Sequence, residues 1–596
     1  MRYPNIYTLF RERVEEYGGR HAFYVRRRGD WVGISWESFG REAHELAVAL
    51  VAVGLRPSGS VCVLMGNVPE WSVCDLGAIT AGGVSVGLYP TSSAEQCRYI
   101  IDHADAELVL VDTVAQLDKV LSVRAELPKV KKIITLNEEA ARGREGVLSY
   151  REFLELGRKQ EDQLRKMIVS RAERAQPDET VIMVYTSGTT GLPKGARLSH
   201  RYVINSVESL RGVVPLSDSD VTFSYLPYCH VAERIAGLYN RLYAGATAYF
   251  VNEPAHLWEY MLEIKPTVFA SLPRFFEKIH ARVVSDLEKS PAEERERFAK
   301  AMKVGREISR RRQAREFVPE QMANECADKC APIVQRINNY FGGRLRLATS
   351  GGAPLPQEIA EFFDACGLPI LQAYGLTENV CVAFNRPDNY KFGTVGPPMP
   401  GCEVRLAADG EILVRSEMMF SGYYKAPAQT AEMFDGEGWL LTGDLGEIDA
   451  AGFLKITGRK KELIITSTGK NVAPALIENL LKEHHLVSQA FLHGDGKSYL
   501  VALITLNQIE TEEYARAHGI SSRDFAELTR DERIKSLVTQ IVVQVNARVS
   551  STESIKHFAI LERDFSVEAE EVTPTLKVKR NVVAARYKDL LESLYE

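Results

Sequence analysis

The stretch 185–195, which reads Tyr-Thr-Ser-Gly-Thr-Thr-Gly-Leu-Pro-Lys-Gly, directly follows an apolar run at 181–184. Its glycines, threonines and serine make a loop whose amides and hydroxyls can converge on anionic oxygens, and Lys194 adds a positive charge. It is not a Walker A loop, because that motif needs Gly before the Lys and Ser or Thr after it, whereas Pro193 and Gly195 stand there. A flexible surface turn is the alternative, but the many serine and threonine hydroxyls in this stretch make it the weaker interpretation. The stretch therefore predicts a phosphate-binding loop between a β-strand and a helical pattern.

On both sides of this loop, short β-rich runs alternate with helical patterns. This alternation predicts an α/β fold with layers of largely parallel sheets. The predicted strands are 61–65, 108–111, 132–136, 181–185, 221–226 and 345–350, and helices predicted between them include 71–81, 201–210 and 356–365.

The segment from about Ser285 to Ala331 differs from its surroundings, because it is charged and helical and carries a basic run at 310–315. A solvated helix face is the simpler interpretation, and contact with a membrane surface is the alternative. The sequence leaves peripheral membrane contact and a homodimer open.

After about Gly443 the pattern changes to short strands interspersed with helices, and apolar residues recur at helical spacing over 533–545. We place a boundary near Gly458. The sequence thus predicts a large N-terminal α/β domain, 1–458, and a smaller α+β C-terminal domain, 459–596.

Composition excludes several classes of protein. The 596 residues include 73 Lys and Arg against 79 Asp and Glu, a net charge of −6, which argues against a nucleic-acid partner. Residues 1–30 lack the apolar block of a signal peptide, and the apolar run 46–55 is about half the ~20 residues that span a bilayer. Among the nine scattered cysteines, Cys326 and Cys330 lie close together without a flanking His, which disfavours a metal site. We expect a reduced, cytoplasmic protein.

Two further motifs lie between 350 and 378. Ser-Gly-Gly-Ala-Pro at 350–354 falls where a strand meets a helix, and Gln-Ala-Tyr-Gly-Leu-Thr-Glu follows at 372–378. Small residues let a flat ring approach the backbone, Tyr374 offers a stacking surface, and Glu378 offers an oxygen ligand for Mg²⁺ near phosphates. A tight turn and a surface Glu are the alternatives.

The third motif lies at the predicted domain boundary, and the fourth lies near the end of the C-terminal domain. Thr-Gly-Asp-Leu at 442–445 is followed by Thr-Gly-Arg-Lys-Lys-Glu at 457–462, and a carboxylate such as Asp444 can accept both ribose hydroxyls while Arg459 contacts phosphate or ribose. Thr-Pro-Thr-Leu-Lys-Val-Lys-Arg lies at 573–580, where solvated charges are the simpler interpretation.

In this order the four motifs resemble those of the adenylate-forming enzymes, which include acyl-CoA synthetases, peptide-synthetase adenylation domains and beetle luciferase. The resemblance runs from about Tyr7 to Tyr587. Within this superfamily the chain is similar to long-chain fatty acyl-CoA synthetases. The segments that carry this closer similarity are Tyr-Leu-Pro-Tyr-Cys-His-Val-Ala-Glu-Arg at 225–234, Gly-Arg-Lys-Lys-Glu-Leu-Ile-Ile at 458–465, Gly-Lys-Asn-Val-Ala-Pro at 469–474 and Leu-Lys-Val-Lys-Arg at 576–580.

The resemblance implies a ligase that forms an acyl-adenylate from a fatty acid and ATP, with Mg²⁺, and then transfers the acyl group to CoA. Thr377 and Glu378 would lie by the α-phosphate and Mg²⁺, with Thr186 as a second metal ligand, and His230 would lie near the acyl carboxylate. The implied phosphate loop comprises Thr186, Ser187, Gly188, Thr189, Thr190 and Lys194, and the implied adenine and ribose site comprises Gly351, Gly352, Ala353, Tyr374, Gly375, Asp444 and Arg459.

The resemblance also implies that the small domain rotates between the two half-reactions. Lys577 matches the lysine of the family's last motif, although Leu576 stands where Gly is usual. This ammonium would assist the departure of diphosphate. Lys461 matches the hinge, and Gly469 would flank the pantetheine channel, because a residue without a side chain lets it pass. Cys229 departs from the small or aliphatic residue that is frequent in the long-chain branch, which affects the shape of the acyl pocket.

Three other functions compete with this one. Gly-Val-Ser-Val-Gly at 83–87 fits the nucleophile elbow of serine hydrolases, but a helical pattern precedes it and Leu-Tyr-Pro follows, so a buried strand is the better interpretation. A fatty acyl-AMP ligase that loads a carrier protein typically has an insertion near the hinge, for which 457–470 leaves no room. A non-catalytic nucleotide-binding module has no need of Lys577.

Overall fold

The computed structural model describes residues 1–186, 192–467, 470–522, 524–573 and 577–596, and at 325–330 it describes the backbone alone. The strands are β1 His21–Arg27, β2 Asp30–Ser35, β3 Ser60–Leu64, β4 Val84–Gly87, β5 Ala106–Val111, β6 Lys132–Thr135, β7 Val147–Ser149, β8 Thr180–Thr186, β9 Lys194–Ser199, β10 Val221–Ser224, β11 Thr247–Phe250, β12 Val268–Ser271, β13 Leu347–Ser350, β14 Ile370–Leu376, β15 Asn379–Phe384, β16 Cys402–Leu406, β17 Glu411–Ser416, β18 Leu440–Ile448, β19 Leu454–Arg459, β20 Ile464–Ile465, β21 Asn471–Val472, β22 Val487–His493, β23 Leu500–Leu506 and β24 Ile555–Ile560.

The helices connect these strands. They are α1 Ile6–Tyr17, α2 Trp36–Ala52, α3 Pro69–Thr80, α4 Ala94–His103, α5 Val114–Ser122, α6 Glu138–Ala141, α7 Tyr150–Arg158, α8 Glu161–Arg174, α9 His200–Arg211, α10 Asn240–Ala244, α11 Leu257–Ile264, α12 Pro273–Glu288, α13 Ala292–Gln313, α14 Glu320–Tyr340, α15 Gln357–Ala365, α16 Pro427–Ala431, α17 Pro474–Lys482, α18 Gln508–Ala517, α19 Phe525–Thr529, α20 Glu532–Asn546, α21 Arg580–Arg586 and α22 Lys588–Ser593. Short 3-10 turns lie at Arg124–Glu126, Pro254–His256 and Lys460–Glu462, and a π-helix lies at Ala232–Tyr239.

The largest sheet formed by the described residues has the order β7-β6-β5-β3-β4-β8-β9. Its pairs are parallel except for β9, which runs antiparallel to β8. Every residue of β3 is buried, and its side chains alternate between two cores, with Val61 and Val63 on one face and Cys62 and Leu64 on the other. Burial on both faces explains the continuous apolar run that predicted this strand.

The prediction of helix directly after the phosphate loop needs a correction. The antiparallel strand β9 lies between the loop and α9, so the loop connects a β-hairpin and does not open a helix. The strand forms because it completes the hydrogen bonds of β8, which would otherwise be an open edge of the sheet. Elsewhere the predicted strands and helices are present, with ends that differ by about two residues, as is usual for element boundaries.

Residues 83–87 are not a nucleophile elbow. Ser85 lies inside β4 and is buried, and the Arg234 guanidinium donates a hydrogen bond of 2.7 Å to its hydroxyl. The expected buried strand is therefore confirmed, and the structure gives Ser85 neither the exposure nor the following helix that a hydrolase needs.

Two fully buried charges hold the core beside β4. Arg234 forms an ion pair with Asp75, and the Tyr239 hydroxyl donates a hydrogen bond of 2.8 Å to the same carboxylate. The guanidinium also lies 4.9 Å from the centre of the Trp71 ring, which is a cation–π distance. Removal of one partner would leave the other charge buried and unpaired.

We therefore expect Asp75→Ala to lower the free energy of unfolding by about 3–5 kcal/mol, because Arg234 loses its counter-charge inside the core. Urea unfolding followed by fluorescence measures this difference. Asp178→Ala is the matched control, because Asp178 pairs with Arg201 on the surface, where such a pair contributes about 0–1 kcal/mol. Equal effects of the two substitutions would contradict this account of the core.

Smaller sheets shape the rest of the N-terminal domain. Within the described part of the chain, their orders are β10-β11-β1-β2, β12-β13-β14-β15 and β16-β17-β18-β19. In the second of these sheets β12, β13 and β14 are parallel, so their carboxyl ends meet at one edge, where the 350–354 and 372–378 motifs begin.

The residues after β19 form a separate α+β unit. Its strands pair as β22-β23-β24 and as the β20-β21 hairpin, and its buried side chains form clusters of their own. The predicted amphipathic helix is α20, which buries Ile534, Val538, Ile541, Val542 and Val545. The large α/β domain with a smaller C-terminal α+β domain is thereby confirmed.

The charged segment at 285–331 is helical, as predicted, and spans α13 with parts of α12 and α14. Arg310 pairs with Glu307 and Glu316, and Arg311 pairs with Glu307, which is the arrangement of a solvated helix face. Over the residues that the structure describes, no helix combines the length and the apolar character needed to cross a membrane.

Candidate active site

The part of the site that is predicted to hold the ribose is built on the β18–β19 pair. Asp444 and Arg459 are direct partners in its register, and the Arg459 Nε donates a hydrogen bond of 2.8 Å to Oδ1 of Asp444. The Tyr374 hydroxyl donates to Oδ2 at 2.5 Å. Burial and the neighbouring carboxylate raise the pKa of Tyr374 well above its usual value, so the phenol stays a donor. The structure therefore brings together three of the residues that the sequence singled out.

The loop at 350–354 gives a flat surface beside Tyr374. Ser350 pairs with Gln372 across parallel strands, which places Gly351 next to Ala373 at the same edge. A Cβ on Gly351 would lie 3.6 Å from the Ala373 carbonyl oxygen, and the next residue, Gly352, has a φ of +79° that favours glycine. The side chain of Ala353 is exposed. The small residues thus leave the backbone accessible to a planar ring.

The turn after β14 presents Glu378. Gly375 is required there, because a Cβ at that position would lie 2.0 Å from the Val380 carbonyl oxygen. Glu378 is only 7% exposed and accepts a hydrogen bond from the Tyr423 hydroxyl, while the backbone carbonyl of Thr377 accepts one of 2.9 Å from Tyr202. Glu378 is therefore a buried, oriented carboxylate and not a surface side chain.

The phosphate loop is anchored at both ends by one strand pair. Thr186 ends β8, Lys194 begins β9, and these two residues are register partners. The Lys194 ammonium lies 5.1 Å from the centre of the Tyr423 ring. Ser187, Gly188, Thr189 and Thr190 lie outside the described residues.

Lys577 lies close enough to His230, Arg459 and Asp444 for their charges to interact. Solvent reaches the Lys577 side chain, yet the surrounding protein and the nearby Arg459 lower its pKa, while Asp444 acts in the opposite direction. Burial and the charge of Lys577 lower the pKa of His230 to about 4. Residues separated by more than 300 positions in the sequence therefore share one electrostatic environment.

His230 has a defined tautomer. Its Nδ1 accepts a hydrogen bond of 3.1 Å from the Ala232 amide, so the neutral ring carries its proton on Nε2. The ring is thus an N–H donor at neutral pH.

A buried ion pair holds the loop that carries His230. Glu233 accepts hydrogen bonds of 2.6 Å from Arg241 and 2.9 Å from Ser224, and Asn67 donates one of 2.8 Å to the Leu226 carbonyl. These contacts join the π-helix to β10. Glu233 lay in the 225–234 motif without a role of its own, and nothing in the sequence pattern had marked Arg241. Tyr423 was missed because its partners, Glu378 and Lys194, lie on distant segments.

The predicted hinge is exposed, but the residue before it is fixed. Lys461 lies in the 3-10 turn after β19 with its side chain in solvent. Lys460 forms ion pairs of 2.5 Å with Asp409 and 2.8 Å with Glu411 in the N-terminal domain. Gly469, the predicted pantetheine contact, lies outside the described residues, as does Leu576.

Two family models match this chain. Residues 10–424 match the AMP-binding enzyme model, and residues 461–596 match the AMP-binding enzyme C-terminal domain. The chain belongs to the AMP-binding enzyme family.

Several long-chain-fatty-acid–CoA ligases match this sequence over nearly its whole length. The long-chain-fatty-acid–CoA ligase ACSBG2 of Gallus gallus is 33% identical, with 99% of this chain and 81% of that protein covered. The long-chain-fatty-acid–CoA ligase FadD15 of Mycobacterium tuberculosis is 31% identical, with 95% and 93% covered. The resemblance stated from the motifs is confirmed.

Solved structures share the fold. The adenylation domain of a carboxylate reductase from Mycobacterium chelonae superposes with a TM-score of 0.75 at 24% identity, covering 99% of this chain and 91% of that domain. The anthranilate CoA ligase AuaEII, solved with anthranoyl-AMP, gives 0.73 at 20% identity, covering 98% and 97%.

Proposed function

We propose that this protein is an ATP-dependent long-chain fatty acid–CoA ligase, whose substrates are a fatty acid, ATP and CoA. The observation that carries the proposal is the electrostatic proximity of Lys577, from the C-terminal domain, to Asp444 and Arg459 of the β18–β19 pair and to His230. The relatives named above supply the substrate class. The ion pairs along the basic helix favour a solvated face, so the proposal includes no membrane partner.

In the first half-reaction the fatty-acid carboxylate attacks the α-phosphorus of ATP, an oxygen–phosphorus bond forms, and the bond to diphosphate breaks. No general base is needed, because the carboxylate is already ionised at neutral pH. Lys577 and Arg459 supply positive charge where the leaving diphosphate gains negative charge. Asp444 holds the ribose hydroxyls and thereby orients the α-phosphate.

The residues near Glu378 suit Mg²⁺. Within the described residues no group of three or more His, Cys, Asp or Glu side chains is placed to hold a metal. Mg²⁺ usually takes one or two protein ligands together with substrate phosphates and water, so the Glu378 carboxylate with the Thr186 hydroxyl fits it. When bound, the ion would neutralise charge on the triphosphate.

His230 contributes a neutral donor to the acyl carboxylate. Because its pKa is lowered to about 4, the ring remains uncharged through the physiological range, and its Nε2–H can hydrogen-bond the carboxylate without forming a tight ion pair. A tight ion pair would weaken the carboxylate as a nucleophile.

We expect His230→Ala to raise the KM for the fatty acid about tenfold to hundredfold, which is the effect of losing one hydrogen bond to a charged group. His230→Gln keeps an N–H donor and should recover part of the loss. Pyrophosphate release measured against fatty-acid concentration gives both values. If His230→Ala changes the KM for ATP and leaves the KM for the fatty acid unchanged, His230 does not contact the acyl carboxylate.

The second half-reaction needs access of the CoA thiol to the acyl carbonyl that Lys577 approaches. We propose that the C-terminal domain rotates at Lys461 relative to the N-terminal domain, so that Arg459 and Lys460, which the sequence assigned to 459–596, stay with the N-terminal domain. Gly469 would then border the pantetheine arm. The ion pairs of Lys460 support a pivot immediately after that residue.

The deciding experiment measures pyrophosphate release over a panel of fatty acids of increasing length, with CoA and then with an acyl carrier protein as acceptor. We expect release that requires a long-chain acid, and acyl-CoA as the product. If the carrier protein is loaded and CoA is not, the assignment of CoA as the acyl acceptor is wrong. If no acid causes pyrophosphate release, the proposed adenylation reaction is wrong.

A further inference from the structure

Segment 420–424 connects the turn that carries Glu378 with β9, the strand that begins at Lys194. At one end the Phe420 amide donates a hydrogen bond of 2.8 Å to the Glu378 carbonyl. At the other end the Tyr424 amide donates one of 2.8 Å to the Gly195 carbonyl, one residue after the phosphate loop's lysine. The segment therefore ties the Glu378 turn to β9 through its backbone.

The pairing of this segment with β9 decides where Tyr423 points. Tyr423 and Ala196 form an antiparallel bridge, and residues opposite each other in such a pair lie on the same face. Lys194 is two residues before Ala196, so it shares that face as well. The register thus explains why the Lys194 ammonium lies 5.1 Å from the Tyr423 ring centre, a cation–π distance.

The hydroxyl of the same tyrosine reaches the carboxylate. Tyr423 is 6% exposed and its O–H donates to Oε1 of Glu378, while its backbone amide donates 2.8 Å to the Thr430 hydroxyl. One side chain therefore contacts the cation and the anion of the triphosphate site at once.

We propose that Tyr423 is a positioning residue that fixes Glu378 and Lys194 relative to each other, so that the metal ion and the phosphates of ATP meet a single rigid unit. The proposal rests on the proposed ligase function. The hydroxyl orients one carboxylate oxygen and leaves the second for another ligand, and the ring holds the ammonium of Lys194 against the strand.

The two contacts can be removed one at a time. Tyr423→Phe removes the hydrogen bond to Glu378 and keeps the ring under Lys194, so we expect the Mg²⁺ concentration for half-maximal pyrophosphate release to rise about tenfold, with little change in kcat at saturating Mg²⁺. Tyr423→Leu removes both contacts and should in addition raise the KM for ATP. In a Lys194→Ala background the two variants should have the same KM for ATP.

A matched control is the next residue. Tyr424 also donates its hydroxyl to a carboxylate, at 2.7 Å to Asp105, which none of the proposed steps uses. Tyr424→Phe therefore removes a similar hydrogen bond without changing the Mg²⁺ dependence. Thermal unfolding of all variants reports whether the fold is kept.

A binding measurement separates this inference from the function. Calorimetric titration with a non-hydrolysable ATP analogue at fixed Mg²⁺ should show about tenfold weaker binding for Tyr423→Phe, and no such difference in a Glu378→Gln background. An acyl-sulfamoyl adenosine, which has no triphosphate, should bind both proteins equally.

If Tyr423→Phe and Tyr424→Phe have the same Mg²⁺ dependence and the same affinity for the ATP analogue, Tyr423 has no positioning role. Failure of the wild-type protein to form acyl-AMP, with the analogue difference still present, would instead overturn the proposed function alone.

Discussion

Lys577→Ala is expected to slow acyl-AMP formation by about 10²–10³-fold, because the reaction loses a positive charge directed at the departing diphosphate. The same variant should convert added acyl-AMP and CoA into acyl-CoA at the wild-type rate, since that step releases AMP and no diphosphate. The proximity of Lys577 to Arg459 and His230 is the structural basis of this asymmetry.

Pyrophosphate release and single-turnover thioester formation from synthetic acyl-AMP measure the two steps separately. Lys579→Ala is the control, since it removes a lysine two positions away on the same segment. Equal loss of both steps in Lys577→Ala would mean that the residue supports the fold of the domain and not the first step, and the alternating-domain account would then be wrong.

Lys461→Pro is expected to preserve acyl-AMP formation and to reduce thioester formation by about 10²-fold or more, the range in which a misplaced catalytic group costs rate. Proline fixes φ near −65°, a value compatible with the 3-10 turn at Lys460–Glu462, so it restricts backbone rotation at the proposed pivot. Rotation of the C-terminal domain requires a different backbone angle.

Lys461→Ala separates the backbone from the side chain. This variant keeps a rotatable φ and removes only the exposed ammonium, so both half-reactions should proceed as in the wild type. Rapid-quench measurement of acyl-AMP accumulation distinguishes the variants, because the proline form should build up acyl-AMP that it transfers slowly. An unaffected second step in Lys461→Pro would place the pivot elsewhere.

Much of the fold could be predicted because it depends on local pattern. Strands such as β3 and β5 contain continuous apolar runs, at 61–64 and 108–111, that are buried on both faces. The sequence singled out Asp444 and Arg459 because each follows a glycine in a recognisable motif, and the strand register makes the two residues partners.

What could not be predicted depends on contacts between distant segments. The Arg234–Asp75 pair joins residues 159 positions apart, and the Tyr423–Glu378 hydrogen bond joins residues 45 apart. No periodicity encodes either. The strand β9 was missed because a strand that closes an edge depends on its neighbour in the sheet and only weakly on its own sequence.

Glu411 contacts both the residue before the proposed pivot and the strand that is proposed to hold the ribose. One of its carboxylate oxygens accepts a hydrogen bond of 2.9 Å from the Gly443 amide, next to Asp444, and the other pairs with Lys460. One side chain therefore connects Lys460, just before the proposed pivot, to β18, which is proposed to hold the ribose. Under the proposed rotation, the ribose of the acyl-adenylate would stay bound while its acyl carbonyl becomes accessible to the CoA thiol. The activated acyl group would therefore not dissociate from the protein between the two half-reactions.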